Sequence, residues 1–275
     1  MRMKIKDYFY SGEVFEVKPS KYDGILETHP KLTEQKLSEY YNHDNYISHQ
    51  TDAKSLFENV YRFAKRFMVK RKQHLVLKAH TSGRILDIGT GTGDFLKPFN
   101  SKDWEKFAIE PNEDLHESLR QNGIRIMDGI NEIQNHKFDV ITLWHALEHI
   151  PNLEETIQSI QKSLKPNGTL LIAVPNFKSF DARYYKSFWA AWDVPRHVWH
   201  FSKRGLISLC QKWQLDFLKT RPLLLDAFYI SMVSEKYRKS NNMLRAFFVG
   251  LYSNLTGIFR NEYSSFVYVF KKAKH

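Results

Sequence analysis

Apolar residues fall in two rhythms along this chain. From about residue 80 onward, short apolar runs bounded by polar and turn-forming residues predict strands at 84–88, 106–110, 124–127, 138–143 and 169–174. A helix is predicted over 153–164, ending in Lys-Pro-Asn-Gly. Strands alternating with helices specify an α/β fold, a doubly wound and mostly parallel sheet whose ligands sit at the carboxyl ends of its strands. Beyond a long loop, a helix at 203–212, a strand near 214–220, a helical insertion over 225–258 and a last strand at 264–270 complete the pattern. Upstream, residues 1–30 are mixed and aromatic, with strand-like pieces at 13–17 and 24–28. Through 31–79, Leu32, Leu37, Tyr40 and Tyr41, then Leu56, Val60, Phe63, Phe67, Leu75 and Leu77, recur near helical spacing. The expected organisation is an N-terminal aromatic and helical cap at 1–79 over the ligand pocket, and a core at 80–275 that carries a substrate loop at 175–202 and the insertion at 225–258.

The first core strand leads into Asp87-Ile-Gly89-Thr90-Gly91-Thr-Gly93-Asp94. Glycine at every second position removes Cβ atoms where a bend from strand to helix must let a ligand lie against the backbone. The next strand closes on Glu110-Pro111, where an acid is placed to accept hydrogen bonds from ribose hydroxyls. Dinucleotide enzymes instead carry G-x-G-x-x-G and seat a pyrophosphate on a helix N-terminus. The carboxylates of Asp87 and Asp94 would repel that anion, but they suit a ligand bearing an ammonium and a sulfonium.

Composition narrows the classes. The 42% hydrophobic and 15% aromatic content excludes wholesale disorder. A single cysteine, Cys210, excludes an internal disulfide framework and a Cys-rich zinc module, and with no N-terminal signal pattern it favours the cytoplasm. Lys and Arg outnumber Asp and Glu by 41 to 30, giving a net charge of +11. No basic run is sustained, so a solvated basic surface is preferred to a nucleic-acid footprint; attraction to anionic lipid or to an acidic substrate stays open.

The Asp-x-Gly-x-Gly-x-Gly bend with its distant Glu110 resembles motif I of the class I S-adenosylmethionine (SAM)-dependent methyltransferases. That resemblance implies a seven-stranded sheet with an antiparallel last strand, and SAM as the cofactor. It places Asp87, Gly89, Thr90, Gly91, Gly93 and Asp94 around the methionine portion, and Glu110 with Pro111 at the ribose. Asp128-Gly129 follows the third strand, where the family's adenine-contacting acid lies, although Asp-Gly is also a common turn. Trp144 follows the fourth strand, beside the cofactor or simply in the core.

His145-Ala-Leu-Glu148-His149 spells H-x-x-E-H, a zinc-protease signature. That chemistry needs both histidines on one helix and a third, distant ligand, whereas this run lies at a strand-to-helix junction. Leu-Glu-His-Ile-Pro-Asn resembles the segment after strand four in ubiquinone-biosynthesis O-methyltransferases and their relatives. In some of these, two Glu and one His bind a divalent cation. Glu148 and His149 match that pattern and His145 stands in the first acid's slot, which leaves metal binding open. Otherwise His145 or His149 would serve as a base toward a hydroxyl, or simply cap and pack.

Within the long loop, Trp192-Asp193-Val-Pro195-Arg196-His197-Val-Trp199-His200-Phe-Ser resembles a signature of an uncharacterised bacterial branch of these enzymes. Arg196 is expected to hold a carboxylate or phosphate and His197 to act as base or orienter; the alternative is a rigid aromatic lid with Arg196 paired to Asp193. Tyr40-Tyr41-Asn-His-Asp-Asn-Tyr46-Ile-Ser-His49 resembles that branch's Tyr-rich cap over the cofactor. The apolar run at 243–259 is too short and interrupted to span a membrane. It either packs on the domain or presents a surface for a lipid-like substrate or peripheral membrane contact.

The expected activity is SAM-dependent methyl transfer to a small or amphiphilic acceptor, foremost a hydroxyl. Three alternatives stand beside it. A nucleic-acid (RNA) methyltransferase fits the charge, but Leu-Trp-His-Ala replaces the Asn/Asp-Pro-Pro-Tyr of amino-group modifiers. A nicotinamide oxidoreductase is disfavoured by the glycine spacing. A non-catalytic SAM-binding protein keeps the same motif.

Overall fold

In the computed structural model, residues 2–41 and 56–273 are described; Tyr46 and His49 of the expected Tyr-rich cap lie outside them. The chain opens with β1 (Met3–Lys6), β2 (Val14–Pro19) and β3 (Ile25–His29), followed by α1 (Glu34–Glu39) and α2 (Leu56–Leu77). The core follows as β4 (Gly83–Ile88), β5 (Trp104–Ile109), α3 (His116–Gln121), β6 (Ile124–Ile126), β7 (Phe138–Trp144), α4 (Leu153–Ser163) and β8 (Leu164–Pro175). Then come α5 (Phe180–Tyr185), β9 (Trp199–Phe201), α6 (Lys203–Lys212), β10 (Leu215–Pro222), α7 (Leu224–Tyr237), α8 (Met243–Arg260) and β11 (Ser265–Lys272).

Seven strands form one sheet in the order β10-β11-β8-β7-β4-β5-β6. β4 to β8 run parallel, and β11 enters antiparallel between β8 and β10, the class I methyltransferase arrangement. Strands buried on both faces need apolar residues at successive positions rather than alternate ones. β7 and β8 meet that demand: Val140, Ile141, Leu143 and residues Leu170 through Val174 are all buried. Ile157 and Ile160 of α4 with Leu206 and Leu209 of α6 cover one face, while Val76 of α2, Phe95, Phe99 and Leu119 of α3 cover the other.

Three features depart from the sequence expectations. No regular helix follows the glycine bend: between β4 and β5 the chain makes successive turns, with Leu96 and Lys97 N–H donating to Gly93 O and Phe99 N–H to Leu96 O. Pro98 has no N–H to extend a helix and disfavours helical backbone at the residue before it. Secondly, the strand-like pieces expected at 13–17 and 24–28 are found as β2 and β3, but they do not stand apart from the core's long loop. They belong to a four-stranded antiparallel sheet, β1-β2-β3-β9, whose last strand comes from the 175–202 loop. Thirdly, that loop is itself ordered into α5 and β9 around Tyr185, Trp189 and Trp192, which pack with Phe15 and Tyr40 into a third apolar cluster. The N-terminal segment and the loop are thus one structure, and a boundary at 79/80 cuts through it.

Candidate active site

The carboxyl ends of β4, β5, β7 and β8 form one edge, and the motif residues gather there. Gly89, Gly91 and Gly93 all take left-handed φ, at 73°, 57° and 76°. They differ in what a side chain would meet. A Cβ on Gly89 would stand 2.7 Å from the Ala146 methyl, and one on Gly93 would stand 2.5 Å from Leu119, so these two glycines permit packing. A Cβ on Gly91 would meet no atom within 4 Å. Gly91 is therefore the position whose bare backbone faces open space.

Glu110 reaches back over this bend. Its Oε2 accepts from Gly91 N–H at 2.7 Å and its Oε1 from Asn112 N–H at 3.0 Å, fixing the carboxylate beside the opening. Each oxygen keeps acceptor capacity for another donor. Asp87 is buried at the end of β4 and accepts from Thr142 Oγ1 at 2.5 Å. Burial pushes its carboxyl up to about 6, against the opposing hydroxyls of Thr142 and Thr90. Asp94 forms a 3.7 Å ion pair with Lys97. Pro111 and Asp128 are exposed, the Asp128 N–H donates to Glu132 at 2.7 Å, and Gly129 borders open space. Trp144 packs edge-on against Phe95, with the Lys72 ammonium 4.7 Å from its ring centre.

Past β7 the chain turns sharply, with His145 at φ 57°. The turn sets His145 between two acids: Nε2 lies 3.1 Å from Asp226 of α7, and Nδ1 lies 3.5 Å from Glu148 Oε1. Burial opposes its charge, but Asp226 and then Glu148 outweigh that and hold the imidazolium up to about 9. The 3₁₀ turn Leu147–His149 then places Glu148 inside, 1% exposed, with neither carboxylate oxygen hydrogen-bonded among the described residues. Burial raises its pKa and the surrounding histidines pull it back below the usual range.

His149 and His197 meet beside this carboxylate, their rings 4.6 Å apart and edge-on. His197 Nδ1 lies 2.9 Å from Ala191 O, which can only accept, so Nδ1 carries a proton. The contact of His149 Nδ1 with Arg196 O at 3.1 Å favours the same tautomer, with the Tyr41 hydroxyl 2.8 Å away. Burial first, then His197, depress His149 to about 4, so it is neutral at physiological pH. Among the described residues, one carboxylate oxygen of Glu148 and one nitrogen each of His149 and His197 lie within 4.8 Å of one another. A buried carboxylate that accepts no hydrogen bond among the described residues, beside two carbonyl-oriented imidazoles, is a donor set that suits a divalent cation.

Arg196, expected to hold an acceptor anion, has another role. It is 1% exposed and bound by Asp193 at 2.6 Å and Asp7 at 3.1 Å, which locks the loop to the N-terminal sheet. The expected quartet therefore separates: His149 and His197 converge with Glu148, His145 bridges Glu148 to Asp226, and Arg196 is taken up by Asp193 and Asp7. Asp226 and Asp7 escaped the sequence reading because their partners lie 81 and 189 positions away. The one legible signal was an acid at Asp226 in an otherwise apolar stretch, Leu223–Ala227.

An uncharacterized protein of Methanocaldococcus jannaschii is 29% identical over 114 residues, covering 40% of this chain and 54% of that protein. The ubiquinone biosynthesis O-methyltransferase of Rickettsia canadensis is 22% identical over 184 residues, 62% of this chain and 76% of that enzyme. The chain thus spans about half of the first relative's length and three quarters of the second's. In fold, it is similar to 1,6-didemethyltoxoflavin-N1-methyltransferase of Burkholderia thailandensis, solved with S-adenosylhomocysteine, at a TM-score of 0.53 and 13% identity over 98% of this chain and all of that one. Residues 60–220, more than half of this 275-residue chain, match the methyltransferase domain family, and the chain belongs to that family.

Proposed function

We propose that the chain transfers the SAM methyl group to a hydroxyl of a small or amphiphilic acceptor. The observation that carries this reading is the juxtaposition of the Gly91–Glu110 opening with the Glu148–His149–His197 cluster; Ala146, two residues before Glu148, packs on Gly89. The O-methyltransferase activity named for several relatives supports the same acceptor atom.

In this reading Asp87 and the glycine bend hold the methionine end, Glu110 holds the ribose hydroxyls, and Asp128-Gly129 and Trp144 border the adenine side. The sulfonium is an activated donor, so the protein's part is to align the acceptor oxygen with the methyl carbon, exclude water and receive one proton. His197, whose Nδ1 is held by Ala191 O, would receive that proton on Nε2. The depressed His149 is a weaker base and a better lone-pair ligand. A divalent cation also fits the cluster; Glu148, His149 and His197 would hold it, and it would then take the place of His197 as base by lowering the pKa of an acceptor hydroxyl. Arg196 and Asp193 act as positioning residues by fixing the loop that delivers His197.

Incubating the purified chain with methyl-labelled SAM and a fractionated cell extract tests the reading. Label in the small-molecule or lipid fraction as a base-stable ether is expected. Label in RNA, or tight SAM binding with no transfer to any fraction, would overturn it.

A further inference from the structure

α8 is built inside out. Its protein-facing positions are small: Ala246, Val249, Gly250, Ser253 and Gly257 are buried. Its large apolar residues point the other way. Leu244, Phe247, Phe248, Leu255, Ile258 and Phe259 follow one another at helical spacing on the solvent side, with Leu244 69% and Phe259 87% exposed. Gly250 allows the helix to sit directly on α7, since a Cβ there would press on the Phe228 backbone at 3.0 Å. In water a helix pair normally turns its large apolar side chains inward. Small residues at the helix contact and large ones outside is the pattern that suits an apolar surrounding. Scattered exposed apolar residues need no explanation, but a continuous stripe of this length does.

We propose that the α7–α8 hairpin docks on an anionic lipid bilayer surface, with the outer stripe of α8 lying in the headgroup–acyl boundary. Charge selects this occupant over a second copy of the chain. Residues 221–261 contain six basic residues and two acids. Both acids are engaged within the protein: Asp226 with His145 and Glu235 with Arg245. Exposed basic groups stand at both ends of the hairpin, Lys236, Arg238 and Lys239 at the α7–α8 turn and Arg221 and Arg260 at the opposite end. The Asn254 side chain donates to Leu224 O, which confirms that those latter ends adjoin. An apolar stripe framed by cations complements phosphate headgroups above acyl chains, whereas in a dimer of the same face it would bring the like charges together. Among the described residues no helix is long and apolar enough to cross a membrane, so the hairpin lies on the bilayer and does not span it. Asp226 also ties α7 of this hairpin to His145 at the end of β7. Docking requires no acceptor and is tested apart from the activity.

Flotation of the full chain with phosphatidylcholine vesicles, with and without phosphatidylglycerol, is the test. The expected result is partitioning to the anionic vesicles at least about tenfold stronger than to the neutral ones, weakened by salt. Replacing Leu244→Asp and Phe259→Asp together should reduce partitioning by a similar factor while S-adenosylhomocysteine binding persists, which certifies the fold. Absence of partitioning, or equal partitioning of the double variant, overturns the proposal. So does light scattering that shows a dimer dissociated by the same two substitutions, since the stripe would then be covered by a second copy.

Discussion

Replacing Gly91→Val separates a backbone position that serves the ligand from neighbours that serve packing. At φ 57° a valine is forced into the left-handed region, at a cost of about 1–2 kcal/mol, the upper end applying to a β-branched side chain. Nothing in the protein lies within 4 Å of the new Cβ, so no clash adds to that strain. The expected fall in melting temperature is about 2–8 °C for a domain of this size. The valine methyl groups would fill the space assigned to the methionine portion of the cofactor, and calorimetry with S-adenosylhomocysteine should register at least about a hundredfold loss of affinity, equivalent to ~2.7 kcal/mol. Gly93→Ala is the control. Its Cβ would stand 2.5 Å from Leu119 and 3.2 Å from Ile124, both buried, so overpacking of about 1–3 kcal/mol adds to a similar backbone strain. It should cost more stability than Gly91→Val. Wild-type affinity in Gly91→Val would refute the placement of the cofactor, and a Gly93→Ala protein as stable as wild type would refute the division of roles among the glycines.

Glu110→Ala should weaken S-adenosylhomocysteine binding by roughly 1.5–3 kcal/mol, the range for hydrogen bonds to a charged group; unchanged affinity in titration calorimetry would remove Glu110 from the ribose. His145 contributes a pH-dependent tie between β7 and α7. Its folded pKa of about 9 lies above the ordinary histidine value, so the stabilisation is complete below about 6.5 and disappears as pH rises through 9. Melting temperature should therefore decline across that window, and Asp226→Asn should flatten the decline; an unaltered slope would count against the tie. Asp87 titrates near 6 in the unliganded protein, so affinity for the cationic cofactor should fall as pH drops below 6, and a pH-independent binding constant from 5 to 7 would free Asp87 from that contact. For the metal, Glu148→Gln should weaken manganese or zinc binding by at least about tenfold in direct titration, because the sole carboxylate of the cluster is neutralised; equal affinity would place the cation elsewhere.

The chain's own sequence determined the alternating core. Successive apolar positions in β4, β5, β7 and β8 can be satisfied only by burial on both faces, and glycines at every second position with a distant acid admit few ligands. Those signals are local, and each is contained within one strand and its turn. What followed the glycine bend was already less legible: the bend predicts a helix, and the chain makes successive turns around Pro98 instead. The tertiary structure decided which side chains meet. His149 and His197, 48 positions apart, converge because β9 adds to the N-terminal sheet, with Ile25 opposite Phe201, and carries the loop back over the edge. The same closure buries Arg196 between Asp193 and Asp7, and no spacing rule distinguishes a cation buried in that way from one presented to a substrate. The direction faced by the α8 stripe was equally undecided in one dimension. Helical periodicity reports that an apolar face exists, but only packing against α7 shows that the small residues were chosen for the inside.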